Sequence, residues 1–317
     1  MTMNGWLVVN EFVMTDKFNE LFSMLFKAAM AEGIELTKRS NSELWTMLGS
    51  CNYRFYDFFT TGCTFEKDGA SMMVSAADIG LEMPDFILFW DKDIRLAFEL
   101  ERQGMKVFNS AQAIADCDDK AVTFLKLAAA GIKQPETYIS PKKFHTDGLF
   151  DKKFLDMAGS RLGFPCVVKE NFGSFGQQVY LAMDRKQLEE FVITLGDRPY
   201  IIQEYIFSSK GRDIRLEVVG DKVIAGMQRS NPMDFRANIT NGGSMQPYTP
   251  NIEQARMAVE ACQALGLDFA GVDILFGPGE KPLLCEVNSN AHFKNLYDCT
   301  GVNSAEYIIR YIKSKLS

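Results

Sequence analysis

The chain predicts α/β structure followed by α+β structure, and three observations predict it. Short apolar strands alternate with amphipathic helices over the first third of the sequence. The junctions AEGIEL and ERQGMKVF, like AAAGIKQP and ALGLDFAG further on, each close a helix with a glycine before a strand resumes. Near Asp116 the texture changes: DCDDKAVTFLKLAAAG opens a helix with acidic residues, and long hairpins come after it. The expected organisation is an N-terminal α/β domain over 1–115 and a second region over 116–317. A length of 317 residues allows two or three cores.

In order, WLVVNEF reads as a strand, and Lys17 to Glu32 as a helix with Phe18, Leu21, Phe22, Leu25 and Ala29 on one face. Gly33 ends that helix and IELTK is extended. Phe86 to Trp90 is a strand, Ile94 to Arg102 a helix and KVFN a strand, whereas 51–78 shows no clear period. After the boundary, Pro135 and Pro141 bracket an extended segment, and a short helix runs from about Phe154 to Arg161. CVVKEN and QQVYLAM are strands around a glycine-containing loop. A helix from Lys186 to Leu195, a strand from Tyr200 to Ile206, the hairpin RDIRLEVVGDKVIAGMQRS and an irregular FRANITNGGS follow. A helix from Ile252 to Leu265, a second hairpin and a closing helix from Ser304 to Lys315 complete the chain.

Composition narrows the function. A net charge of -7 argues against general nucleic-acid or anionic-membrane binding. No apolar run reaches membrane-spanning length and the N-terminus lacks a signal-peptide pattern, so a cytoplasmic protein is expected. Seven cysteines without a CxxC pair read as reduced thiols, Cys166 and Cys285 as core residues. With two histidines, His145 and His292, a histidine metal centre or a Ser-His-Asp triad has little to draw on. Chemistry must rest on carboxylates, cations and backbone.

The second hairpin, AGVDILFGPGEKPLLCEVNSNAH, carries three oxygen-bearing side chains. Asp273 interrupts an apolar strand, where a carboxylate is costly to bury uncompensated. Glu286 and Asn288 are two apart and share a strand face. Oxygen ligands without His or Cys suit a hard cation such as Mg²⁺, and a polar strand end at a sheet edge is the plainer alternative. Lys169 leaves an apolar strand beside NFGSFGQQ, whose exposed amides could cradle phosphate, although a lysine before a hairpin turn is common. Gln203 and Glu204 break the apolar run of IIQEYI, as a base- or ribose-reading strand would or as an ordinary strand end does. Alternation in RDIRLEV sets Asp213, Arg215 and Glu217 on one face, where Asp and Arg can equally form a structural ion pair. Arg229 and Arg236 flank a further loop with Asn238, Gly242 and Gly243, and arginine there suits bidentate contacts to phosphate or carboxylate.

Taken together, DDKAVTFLKLAAAGIKQPET, FPCVVKENFGSFGQQV, IIQEYIFSSKGRDIRLEVVGDKVIAGMQR, DFRANITNGG, AGVDIL and EVNSN occur in the order that resembles the ATP-grasp superfamily, in its RimK-type branch. The resemblance spans about Asp116 to Asn290. It implies an ATP-grasp fold behind an N-terminal α/β domain, with ATP held between two subdomains and a lid over roughly 137–205. It implies nucleotide contacts from Lys120, Lys169, Gly173, Ser174, Gly176, Gln203, Glu204, Tyr205, Ile206, Asp213, Arg215, Arg236 and Asn238. Arg229, Arg236 and Asn238 fall on the catalytic, acyl-phosphate side, and Asp273, Glu286 and Asn288 on the Mg²⁺ ligands, with Mn²⁺ able to substitute.

The implied activity is ATP-dependent amide formation between a carboxylate and an amine through an acyl phosphate, with glutamate the favoured amino acid. The partners implied are ATP, an amino-acid donor and an amine or carboxylate acceptor; a homo-oligomer is neither required nor excluded. Two departures from the branch bear on specificity: NFGSFGQQV carries Phe175, Gln177 and Gln178 where a further glycine is usual, and SNAHFKN follows Asn288. His292 and Lys294 then face donor or acceptor, or His292 merely caps or packs. The rivals are a ligase for another amino acid, a peptide-modifying biosynthetic enzyme, and a non-catalytic ATP-binding regulator.

Overall fold

A computed structural model describes residues 2–13, 15–48, 53–57, 83–143, 152–173, 176–237 and 242–317. The chain divides into two compact units, Met1–Ala115 with Ala305–Ser317, and Asp116–Ser304. Among the described residues no helix is long and apolar enough to cross a membrane.

In the first unit, β1 (Met3–Val9), β2 (Ile34–Ser40), β5 (Phe86–Trp90) and β6 (Val107–Phe108) form a parallel sheet in the order β2-β1-β5-β6. Helices α1 (Asp16–Ala31) and α2 (Ile94–Arg102) connect its strands. The apolar runs are explained by burial on both faces of the central strands: every residue of β5 is buried. One face carries a core of Trp6, Val8, Ile87, Phe89, Leu96, Leu100 and Ile114. The alternation of strand and helix in this unit is thus a right-sized parallel sheet. An antiparallel pair, β3 (Leu44–Leu48) with β4 (Tyr53–Asp57), stands apart from it, and most of the unassigned stretch 51–78 lies outside the described residues. The closing helix α9 (Ser304–Leu316) packs in this unit, where Arg310 and Lys313 meet the Glu32 carboxylate, each at 3.0 Å. Helix α3 (Ala111–Asp118) runs across the division.

The second unit holds two antiparallel sheets. The four-stranded one has the order β7-β10-β8-β9, from β7 (Thr137–Ile139), β8 (Cys166–Glu170), β9 (Val179–Ala182) and β10 (Tyr200–Glu204). Helices α5 (Lys152–Leu162) and α6 (Arg185–Leu195) bury Leu155, Leu188 and Val192 with Val168 and Ile202 in one core. Val168 therefore points into that core and Lys169 points away from it. The five-stranded sheet has the order β13-β12-β11-β14-β15, from β11 (Arg212–Val219), β12 (Lys222–Ser230), β13 (Ser244–Pro247), β14 (Phe269–Phe276) and β15 (Pro282–Asn288). Helices α7 (Ile252–Leu265) and α8 (Lys294–Thr300) pack on it. Helix α4 (Lys120–Ala129) starts beside the glycine loop. Several described elements went unread in the sequence: β3, β4, α3, the two-turn α8, and β13, which exists through its pairing with β12.

Candidate active site

One face of the five-stranded sheet is a lattice of charges. Register sets Asp213 opposite Arg229, and Arg215 opposite Asp273, which in turn faces Glu286. Arg229 grips Asp213 through Nε and Nη2 at 2.7 and 2.6 Å, and Arg215 grips Asp273 through the same two atoms at 2.7 Å each. Arg229 Nη2 also lies 3.0 Å from Asp273 Oδ2, so the two pairs form one network. Its members are almost wholly out of water. Burial lifts the carboxyl of Asp213, which faces one guanidinium against that effect. Burial acts on Asp273 too, but Arg215 and Arg229 together outweigh it and hold that carboxyl below the usual range. One row further along β11, Glu217 is buried without such a partner, and burial pushes its carboxyl up to about 8.

Three more cations converge on the same cleft. Asp119 caps α4 by accepting from the backbone N–H groups of Ala121 and Val122 at 2.9 and 3.4 Å, and also accepts from Asn171 Nδ2 at 2.8 Å. That cap fixes Lys120 at the first helical position, with Nζ 3.7 Å from Glu286 Oε1 and 3.4 Å from the carbonyl oxygen of Gly173. Lys169 Nζ lies 3.9 Å from Cys285 Sγ and 5.8 Å from the centre of the Phe124 ring. Arg236 donates to Asp234 and, through Nη1, to the carbonyl oxygen of Gly176 at 2.6 Å. The loop between β8 and β9 is thus tied by a cation at each end. At Gly173, φ is +154°, and a Cβ would stand 2.5 Å from Gln178 Oε1.

The remaining cleft wall comes from β10 and the segment after β12. Gln203 donates to Thr137 Oγ1 at 2.8 Å and Glu204 Oε2 accepts from the Glu136 N–H at 3.2 Å. Tyr205 and Ile206 line the cleft, and the Tyr205 ring meets those of Phe207 and Phe235 edge-on at 4.9 and 6.3 Å. Lys120, Lys169, Gly176, Gln203, Glu204, Asp213, Arg229, Arg236, Asp273 and Glu286 all face this one cavity of about 120 Å³. That volume is below the roughly 300–1,000 Å³ of sites that enclose whole ligands. Gly173, Arg215 and Asn288 are not among the residues that line it, whereas Ser174 and Asn238 lie outside the described residues.

Cys285 corrects an expectation. It reads as a core residue facing away from Glu286, yet both line the cleft. The register passes from Asp273 opposite Glu286 to Ile274 opposite Leu284, which leaves Cys285 as the extra residue of a β-bulge. Bulged strands lose strict alternation, and no residue type in PLLCEV marks the bulge. Phe235 and Arg212, further cleft residues, carry no sequence signal either. Cys166, by contrast, is fully buried core.

The oxygen set of this face fits a hard cation. Asp273 Oδ1 receives a hydrogen bond from Arg215 Nε, which leaves a lone pair on that oxygen. Glu286 keeps about a third of its side chain exposed to the cleft. Among the described residues the buried Nδ2 of Asn288 has no hydrogen-bond partner, so its amide is not committed to one orientation. Among the described residues no three His, Cys, Asp or Glu side chains group to hold a metal. The set here has only two of those types, and an amide completes it.

The family model of the RimK-like ATP-grasp domain matches residues 117–312. The chain belongs to the RimK-like ATP-grasp family. Among curated relatives, a probable alpha-L-glutamate ligase 2 of Shewanella amazonensis is 38% identical over 218 residues, 68% of this chain and 69% of that one. The beta-citrylglutamate synthase B of Danio rerio is 33% identical over 237 residues, 72% of this chain but 56% of the relative. Among solved structures, a RimK-domain ATP-grasp protein of Sphaerobacter thermophilus superposes with a TM-score of 0.68 at 20% identity, covering 97% of this chain and 98% of that one. This RimK-like protein is accordingly an ATP-grasp carboxylate–amine ligase. Members of the family use ATP and Mg²⁺ with amino-acid or peptide substrates.

Proposed function

We propose that the chain forms an amide bond between glutamate and a peptide, protein or small molecule that supplies the other reacting group, with consumption of ATP. The supporting observation is that Lys120, Lys169 and Arg236 share one cleft with Asp273 and Glu286. Cations and paired carboxylates in one confined space suit a polyphosphate bound with a divalent cation. Glutamate is supported by the relatives, whose names include a glutamate ligase and a citrylglutamate synthase.

In this reading a substrate carboxylate oxygen attacks the γ-phosphorus, the bond to the β-bridging oxygen breaks, and ADP leaves with the electron pair. The amine nitrogen then attacks the acyl carbon, inorganic phosphate departs, and the nitrogen loses a proton to solvent. Lys120 and Lys169 bind the phosphates, with the loop of Gly173, Ser174 and Gly176 over them. Gln203, Glu204, Tyr205 and Ile206 take the adenine side, and Asp213 and Arg215 the ribose and phosphate side. Arg236, with Asn238, contacts the transferred phosphoryl group. Arg229, whose Nε and Nη2 are committed to Asp213, acts through its charge. Asp273, Glu286 and Asn288 would hold Mg²⁺, which would supply positive charge to offset repulsion between two anions. No side-chain nucleophile is required.

The test is ADP release with ATP, Mg²⁺ and single amino acids, alone and with candidate partners, followed by mass analysis. Release dependent on glutamate, with a product heavier by one glutamyl residue, is the expected result. Dependence on a different amino acid would replace glutamate and keep the ligase.

A further inference from the structure

Two buried polar atoms on the charged face lack a hydrogen-bond partner among the described residues, and they flank the same glycine. Gly271 pairs with Glu217 on one side and with Asn288 on the other. Glu217 is only 2% exposed, yet its Oε2 has no partner; nor does Asn288 Nδ2. Glu217 leans over the gap: a Cβ built on Gly271 would lie 3.6 Å from Glu217 Oε2 and 2.5 Å from Ala291 Cβ, which roofs the spot. Arg215, whose Nε stands 3.7 Å from the same built Cβ, gives Nε and Nη2 to Asp273 and makes no hydrogen bond to Glu217 Oε2. An unpaired carboxyl and an unpaired amide, buried on either side of a residue with no side chain, are complementary groups awaiting alignment.

We infer that Glu217 is a positioning residue for the metal site, accepting a hydrogen bond from Asn288 Nδ2, directly or through one water, and so turning Asn288 Oδ1 toward the cation. The inference rests on the metal assignment proposed above. The physical need is clear, since a side-chain amide has a donor end and an acceptor end of nearly equal size. Which end meets the cation is decided by what holds the other. A carboxyl keeps an acceptor oxygen in either protonation state, so Glu217 can do this whether or not it is ionised. Backbone spacing allows it: β11 and β15 are two strand spacings apart, about 10 Å, which a Glu reaching from one side and an Asn from the other can close.

The experiment is Mn²⁺ titration of the full chain with ADP present, followed by the electron-paramagnetic signal of free Mn²⁺, on the parent, Glu217→Leu and Glu217→Gln. Loss of the acceptor in Glu217→Leu is expected to weaken Mn²⁺ binding about 10-fold or more. Glu217→Gln, which keeps an acceptor oxygen, is expected to stay near the parent. ADP affinity in EDTA should be the same for all three, which also verifies that each folds. Should Glu217→Leu misfold, a crystal structure of the parent with Mn²⁺ and ADP decides: Asn288 Nδ2 within about 3.5 Å of a Glu217 oxygen, or sharing one water with it, supports the inference. Nδ2 bonded elsewhere overturns it. Parent-like Mn²⁺ affinity in Glu217→Leu, or equal weakening in both variants, also overturns it while leaving the metal site standing. A parent that takes no Mn²⁺ removes the metal assignment itself, and the inference falls with it.

Discussion

On the four-stranded sheet, Arg198 places Nη1 2.9 Å from both oxygens of Glu170, while about half of its own side chain stays in water. On the five-stranded sheet, Arg229 and Arg215 meet Asp213 and Asp273 at similar distances, but none of the four side chains is more than 17% exposed. The same chemistry thus serves two ends. Glu170 is itself buried, but water reaches that pair from the half-exposed arginine's side, at the end of β8. In the second network no charge can be solvated, so each holds the others in place. The result is a rigid platform beneath the cleft, with Glu286 and the three cleft cations at its rim.

The largest test of this difference removes the cation common to both pairs of the platform. Arg229→Ala leaves Asp213 and Asp273 buried with one guanidinium between them, and is expected to lower stability by about 3–5 kcal/mol. Urea denaturation measures it, and a loss under about 1 kcal/mol would show that water reaches the network. Next comes the rim. Glu286→Gln removes a carboxylate assigned above to the proposed cation site, its side chain partly in solvent, so turnover should fall by about 100-fold or more. Its unfolding midpoint should stay near the parent's. Turnover close to parent at saturating Mg²⁺ would end the metal assignment.

Lys120→Ala is expected to act between these extremes. It removes a cation that touches Glu286 and the Gly173 carbonyl, and one charge-assisted contact is worth about 1.5–3 kcal/mol, or roughly 10-fold or more in ATP affinity. Calorimetric titration with ATP checks it. An unchanged dissociation constant would confine Lys120 to tying the loop.

Much of the platform was legible in the sequence because strands have a strict period. Asp213, Arg215 and Glu217 share one face, as RDIRLEV alternates, whereas the helix start expected at Asp116 falls later: Asp116 to Asp118 end α3, and Asp119 caps the next helix. The partners were not legible. In a regular hairpin turning at Gly220 and Asp221, Val219 faces Lys222 and counting back sets Asp213 against Gln228. A bulge between Glu217 and Val218 shifts the register by one and brings Arg229 there instead. The bulge at Cys285 likewise redirects a side chain with no change in composition. Both bulges lie inside hairpins of consecutive strands, and no residue type there marks the extra residue, so local pattern does not announce them. The same holds for β13, a four-residue strand whose only warrant is its neighbour.

The smallest expected effect sharpens the comparison most. Arg198→Ala removes a guanidinium with the same contact distances as Arg229, so if distance alone set the worth of a pair the two variants would lose equal stability. The burial argument predicts otherwise. Glu170 keeps the Tyr180 hydroxyl at 2.9 Å as a donor. The space vacated by a half-exposed arginine opens to water, so the loss should be about 1 kcal/mol or less, with turnover unchanged. Measured beside Arg229→Ala under identical conditions, a severalfold gap in stability loss supports a platform that cannot be solvated. Equal losses would mean that the two networks differ only in position, and that the charged face owes its order to the packing of its sheet rather than to its ion pairs.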